Sequence, residues 1–204
     1  MRYTKEHKQE THARIVRKAS VRLREKGAHG IGVADLMKEA GLTHGGFYAH
    51  FDSRDALVIE AFSYAMDRST ERWRAMAEQT PPEKRFAAIV ENYLSRLHRD
   101  DPGHGCAITA LGPDVARESA RTRKAFAVKL DEMIEMMADQ LPDLPRQAAR
   151  ARAIAALSTM AGALVLSRVA GTGEFSDEIL DAGREAVLGP VAKAPAKKPR
   201  AKTS

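Results

Sequence analysis

The chain contains one cysteine, Cys106, among 204 residues, so no intrachain disulfide can form and a reducing, cytoplasmic location is expected. It has no uninterrupted apolar run of about 18 residues, so no membrane-spanning helix is expected. Its first stretch, MRYTKEHKQETHARIV, is polar and lacks the apolar core of a signal peptide. There is no glycine-rich phosphate loop and no dinucleotide fingerprint. The seven histidines, at 7, 12, 29, 44, 50, 98 and 104, show no metal-ligand spacing. No metal, no cofactor and no enzymatic activity are therefore expected. Nine prolines leave room for long helices.

What is present is charge, unevenly placed. Residues 1–54 carry 11 basic and 6 acidic side chains, and residues 189–204 carry five basic and none acidic. The intervening body is slightly acidic. A basic head and a basic tail point to an anionic partner, with nucleic acid first. The Ala/Lys/Pro-rich tail, 189–204, is too poor in apolar residues to pack and is expected to be disordered, adding weak non-specific DNA attraction or only solubility.

The stretch VADLMKEAGLTHGGFYAHF, 33–51, organises the head. Val33, Leu36, Met37 and Ala40 form a helical apolar stripe. Gly41 suits the left-handed residue that ends a helix, with Leu42 as its apolar clasp. Thr43 suits an N-cap for a second helix. That helix would bury Phe47 and Phe51 and leave His44, Gly45, Tyr48, Ala49 and His50 nearer the outside, as a helix-turn-helix entering a major groove requires.

AGLTHGGFYAHFDSRDAL resembles the DNA-binding signature of TetR-type transcriptional regulators, closely over the first 60 residues or so and more loosely beyond. The resemblance implies that Thr43, Tyr48 and His50 meet phosphate oxygens, setting register without reading sequence. Base reading would fall to His44, Gly45 and Ala49, the last able to touch a thymine methyl. Gly46 departs from the family pattern, where a small hydroxyl residue or alanine is common. Two adjacent glycines cost a helix about 1 kcal/mol each, and close backbone approach to DNA is the reading preferred over simple tolerance. Arg54 replaces a common lysine and, at a helix N-terminus, suits a phosphate. Lys5, Lys8 and His12 at the start of the first helix are further phosphate candidates.

The expected fold is all-α: a three-helix DNA head over 1–54 and a six-helix regulatory and dimerisation body over 55–188. Helices are read at 5–27, from about Arg54 to Gln79, at 83–98 with Leu97 on its apolar face, through to about Gln140 with Pro113 near its start and Val128 among its apolar residues, at 146–170 and at 176–188. DDPGHG, at 100–105, breaks the chain after the 83–98 helix. Ala148, Ala151, Ala155, Ser158, Ala161 and Gly162 make the 146–170 helix rich in small residues. The resemblance implies that the last two helices form a four-helix homodimer interface, placing two heads on palindromic double-stranded DNA.

The body offers a candidate effector pocket lined by Phe62, Met66, Trp73, Phe86, Tyr93, Phe126, Met133 and Met137, although such residues at helical spacing are more often core. GCAITALGPDVAR resembles a G-C loop in a NemR-like subgroup of the same family, whose matching cysteine senses electrophiles and oxidants. Cys106 would then open a short helix, whose N-terminus favours thiolate, with His98 and His104 assisting; the alternative is a small buried hydrophobe. The function implied is a homodimeric repressor released from a palindromic operator by an unknown small effector or by modification of Cys106. A sequence-indifferent architectural DNA binder is the alternative, and a thiol-dependent enzyme a more distant one.

Overall fold

The computed structural model describes residues 5–189, and no strand occurs among them. The helices are α1 (Lys5–Lys26), α2 (Val33–Glu39), α3 (Arg54–Glu78), α4 (Arg85–Tyr93), α5 (Arg96–Asp100), α6 (Ala107–Val115), α7 (Ala120–Ala138), α8 (Arg146–Val169) and α9 (Glu174–Leu188). Short 3-10 segments lie at His44–Ala49 and Pro82–Lys84. The basic tail beyond Gly189 lies outside the described residues.

The head forms as its apolar spacing predicts. Ile15, Ala19 and Leu23 of α1 are buried against Leu36 and Met37 of α2, and Phe47 and Phe51 close the cluster. Full burial of such a side chain is worth about 1.5–3 kcal/mol. Gly41 adopts φ +74°, and the Leu42 N–H donates back to the Met37 carbonyl at 2.9 Å, so the turn satisfies the end of α2. Ser53 caps α3, its hydroxyl accepting from the Ala56 N–H at 3.1 Å. Leu57, Val58 and Ala61 bury on the head side of α3, and Phe62, Met66 and Trp73 bury in the body. A single rigid helix thus joins the two regions.

Three expectations fail in the body. The helix read over 83–98 is broken: α4 ends at Tyr93, Leu94 leaves helical geometry at ψ 39°, and Ser95 begins α5 by accepting from the His98 N–H at 3.2 Å. The Arg184 guanidinium holds the Leu94 carbonyl that the break exposes. The break places Leu97 in solvent, 85% exposed, and turns the next side chain, His98, inward. Pro113 lies in the last turn of α6 and not at the start of α7, which Ser119 caps instead. Val128, read as an inward residue of α7, is half exposed.

α8 and α9 pack closely along each other. A side chain at Gly183 would come within 2.7 Å of the Ala163 methyl, so this crossing depends on glycine. α8 is long and apolar enough by composition to cross a membrane. Its Ala149, Ala153, Leu157, Met160 and Leu164 pack in the core, while Ile154, Val165, Leu166 and Val169 remain exposed. The small residues Ala151, Ala155, Ser158 and Gly162 share that uncovered side.

Candidate nucleic-acid interface and cavities

The segment after the Gly41 turn is a 3-10 helix and not the α-helix expected, and Thr43 makes no capping bond through its side chain. Gly45 and Gly46 account for the difference, since glycine is a poor α-helix former and six residues give little room to recover nucleation. Phe47 is 2% exposed and anchors the segment. Thr43, His44, Gly45, Tyr48 and Ala49 all face outward, and Tyr48 is 70% exposed. A methyl group at Gly45 would meet nothing within 4 Å, and one at Gly46 would make only ordinary contacts of 3.7 Å. The protein's own packing therefore does not require either glycine.

Other candidates lie closer to the packed part of the head. His50 is half-buried beside His12, with ring centroids 5.9 Å apart; burial lowers its pKa, and the charges of His12 and Lys8 lower it further. His12 is held by Glu60 at 2.6 Å and stacks on Phe51, so it braces α1 against α3 instead of presenting a free ring. The Arg54 guanidinium donates to the Ala28 carbonyl, which ties the start of α3 to the loop after α1.

The residues proposed from sequence as one pocket do not form one. Phe62 and Phe126 stack on each other beside a shallow apolar cavity with Ile108, Val115 and Leu130. Met66 and Met137 are core side chains, and Phe86 packs half-buried on the core. Trp73, Tyr93 and Met133 do converge, on a separate cavity of about 260 Å³ that Cys106 also lines, together with Arg72, His98, Asp101 and His104. The break between α4 and α5 creates this cavity by redirecting the chain.

Cys106 is 3% exposed and sits at the N-cap of α6. Its own N–H donates to His98 Nε2 at 2.8 Å, and His98 Nδ1 donates to the Tyr93 carbonyl at 2.6 Å. Both ring nitrogens are thus occupied, and burial pushes the His98 pKa down to about 4, so the ring is neutral near pH 7. Neither ring nitrogen is left to assist the thiol, and His98 instead positions the loop. His104, by contrast, is exposed and bound to Asp101 at 3.0 Å. The Tyr93 hydroxyl is buried beside Cys106 and Thr109 yet has hydrogen-bond geometry to neither. Burial raises its pKa well above the ordinary value.

The loop is wired to the head. Arg24 of α1, buried, donates to the Gly105 carbonyl at 2.8 Å, and Asp114 of α6 accepts from the Ala28 N–H at 2.8 Å. On the other side Arg168 of α8 donates to the His98, Arg99 and Thr109 oxygens. Sequence reading missed Arg24 and Arg168 because charge on a helix face usually signals solvation, and only the fold shows which arginines turn inward. Among the described residues, no three His, Cys, Asp or Glu side chains are grouped so as to hold a metal ion.

Residues 15–61 match the family described as bacterial regulatory proteins, tetR family, and residues 82–180 match the C-terminal domain of LmrA/YxaF-like transcriptional regulators. An uncharacterized HTH-type transcriptional regulator of Mycobacterium tuberculosis is 29% identical over 165 residues, covering 76% of this chain and 83% of that protein. CymR, an HTH-type transcriptional regulator of Pseudomonas putida, is 34% identical over 74 residues, 36% of each chain. The reduced form of Escherichia coli NemR shares the fold, with a TM-score of 0.76 at 18% identity over 91% of this chain and 99% of that one.

Proposed function

Because the chain belongs to the tetR family of bacterial regulatory proteins, we propose that it is a sequence-specific transcriptional repressor acting on DNA in the cytoplasm. One observation carries this reading: the 3-10 segment offers Thr43, His44, Gly45, Tyr48 and Ala49 to solvent on a buried Phe47 anchor. Thr43 and Tyr48 bind phosphate through hydroxyls that no internal partner uses among the described residues. Gly45 and Gly46 let the backbone approach DNA closely, and His44 and Ala49 meet base edges. Arg54 adds a phosphate contact through the guanidinium N–H groups that Ala28 leaves free.

The repressor is a homodimer through residues 146–188. The uncovered side of α8, with Ile154, Val165 and Leu166 among small residues, and Phe175 of α9 supply an apolar, closely approachable face. Two heads related by a two-fold axis read a palindromic operator.

Release follows either a small effector in the body or modification of Cys106. For an electrophile such as N-ethylmaleimide, the Cys106 sulfur bonds to one alkene carbon and the thiol proton ends on the other. The adduct must then be housed in the cavity beside Tyr93, and the strain reaches α1 through the Gly105–Arg24 bond.

Selection of genomic fragments with purified protein tests the reading. Recovery of one palindromic site, lost on N-ethylmaleimide treatment in wild type but not in Cys106→Ser, is the expected result. A palindrome indifferent to treatment removes the thiol route and keeps the effector route. Equal binding to all fragments with a steep salt dependence overturns sequence-specific repression in favour of an architectural DNA binder.

A further inference from the structure

A second cavity, of about 420 Å³, lies between α1 and α3. Arg14, Arg17, Lys18 and Arg24 line it from α1, and Tyr64, Arg68, Ser69 and Arg72 from α3; no carboxylate lines it. Arg14, Arg17, Lys18 and Arg72 make no ion pair and no side-chain hydrogen bond among the described residues. The cations also oppose one another: burial lowers the Arg24 pKa, and the charge of Arg72 adds to that lowering. Arg14, Arg17, Lys18 and Arg72 are exposed, so solvent screens much of their mutual repulsion, and together they present a positive surface to an anion.

This cationic cleft adjoins the cavity at Cys106, since Ser69, Arg72 and His104 line both. The adjoining cavity is mixed: Trp73, Tyr93, Leu97 and Met133 give it apolar walls, and Asn92, His98 and the Asp101 carboxylate line it as well. Tyr93 lines it with its ring, while its hydroxyl is buried and has no hydrogen-bond partner among the described residues. DNA is the poorer occupant of the cleft. His12 marks the end of α1 nearest the 3-10 segment, through its contacts with His50 and Phe51, whereas Arg24 already reaches the body at Gly105. At 1.5 Å per residue the cleft runs from about 3 to 18 Å beyond His12, away from the recognition face.

We propose that the two cavities form one effector site for an amphipathic organic anion, its carboxylate, sulfonate or phosphate lying among Arg14, Arg17, Lys18 and Arg72 and its apolar part beside Trp73, Tyr93 and Met133. The assignment rests on the effector-controlled reading above and names the chemical class of that effector. The anion neutralises the facing cations and clamps α1 of the head to α3, so a bound and an empty protein hold the head differently. Such a ligand shifts DNA affinity to the extent that it prefers one head position.

The test uses two fluorescent probes of similar shape, 1-anilinonaphthalene-8-sulfonate and its uncharged relative N-phenyl-1-naphthylamine, with the full chain and no DNA. The sulfonate is expected to bind with quenching of Trp73 emission, and the double variant Arg17→Gln/Arg72→Gln to weaken it by about tenfold while leaving the neutral probe unchanged. The unfolding midpoint of the variant, followed by circular dichroism, is expected to stay level or rise, because unpaired like charges are removed. Raising the salt concentration repeats the measurement on unaltered protein: sulfonate affinity falls and neutral-probe affinity does not. Equal affinities for the two probes, or a sulfonate affinity indifferent to both the variant and salt, overturn the proposal. So does a variant that binds sulfonate normally but has lost affinity for the selected DNA fragment, which would make the cleft a nucleic-acid contact. Because the probe arms contain no DNA, they stand or fall apart from the operator reading.

Discussion

The 3-10 segment at 44–49 and the stretch at 98–106 are both short and both contain glycine and histidine, yet they are built on opposite terms. In the loop nearly every polar group is spent internally: both nitrogens of His98, the Cys106 N–H and the Gly105 carbonyl all have partners. Gly105 is there because a methyl group would press on the His98 ring and the Arg168 guanidinium at 2.8–2.9 Å. Among the described residues, the hydroxyls of Tyr48 in the 3-10 segment and of Thr43 just before it have no internal partner, and Gly45 faces open space. A residue that folding does not need, placed on a rigid anchor, is available to a partner outside the chain. A residue that folding has fully committed can act only by moving its neighbours.

The sharpest break of this contrast is a pH titration of stability. His98 is neutral in the fold at about pKa 4 and returns to an ordinary value near 6.5 when unfolded. The unfolded chain therefore binds the extra proton between those values, and the stabilising contribution is complete above pH 6.5 and lost as pH falls toward 4. The loss is expected to reach up to about 3 kcal/mol, and denaturant midpoints of wild type and His98→Gln should differ in their slope across that window. Parallel slopes would show that the ring is not buried neutral.

Next in size, Gly105→Ala is expected to destabilise the protein by about 1–3 kcal/mol, the range for an overpacked site. Gly45→Ala, tested beside it, should leave stability level or slightly raised while weakening binding to the selected fragment. Thermal unfolding and fragment titration on the same two variants read both halves of the comparison. A destabilised Gly45→Ala with intact DNA binding would reverse the roles assigned to the two glycines.

Smallest is Tyr48→Phe, expected to lose about 1 kcal/mol of affinity by a similar factor for every DNA sequence, with no change in folding. Ala49 substitutions should instead reorder which sequences are preferred. An Ala49→Ser protein with the wild-type order of preference would remove Ala49 from base reading.

The head was legible in the sequence because its signals are local. Gly41, the Leu36/Met37 stripe and the Phe47/Phe51 pair each act within a few residues, and they land where spacing put them. Thr43 was misread as an α-helical cap for the same reason, since local propensity carries no information about how two following glycines tighten a short helix. The cavity was less legible. Trp73, Tyr93 and Met133 were named and do meet, but Phe62, Met66, Phe126 and Met137 were grouped with them on periodicity alone. Periodicity says that a side chain points inward; it does not say against which helix.

The sequence by itself determined the all-helical class, the Gly41 turn, the outward face of 43–49, the long α3 joining head to body, and the placement of Cys106 at a helix start. Only the tertiary structure decided the break at Leu94–Ser95, the inward turn of His98, the burial of Arg24 and the meeting of the cationic cleft with the aromatic cavity. Each of these rests on partners far apart in the chain: Arg184 on the Leu94 carbonyl, Arg24 on the Gly105 carbonyl, Arg72 across from Arg17. Local pattern sets which face of a helix is apolar, but the partner of a buried polar group is chosen by packing, because it must be satisfied by whatever the fold brings within about 3 Å.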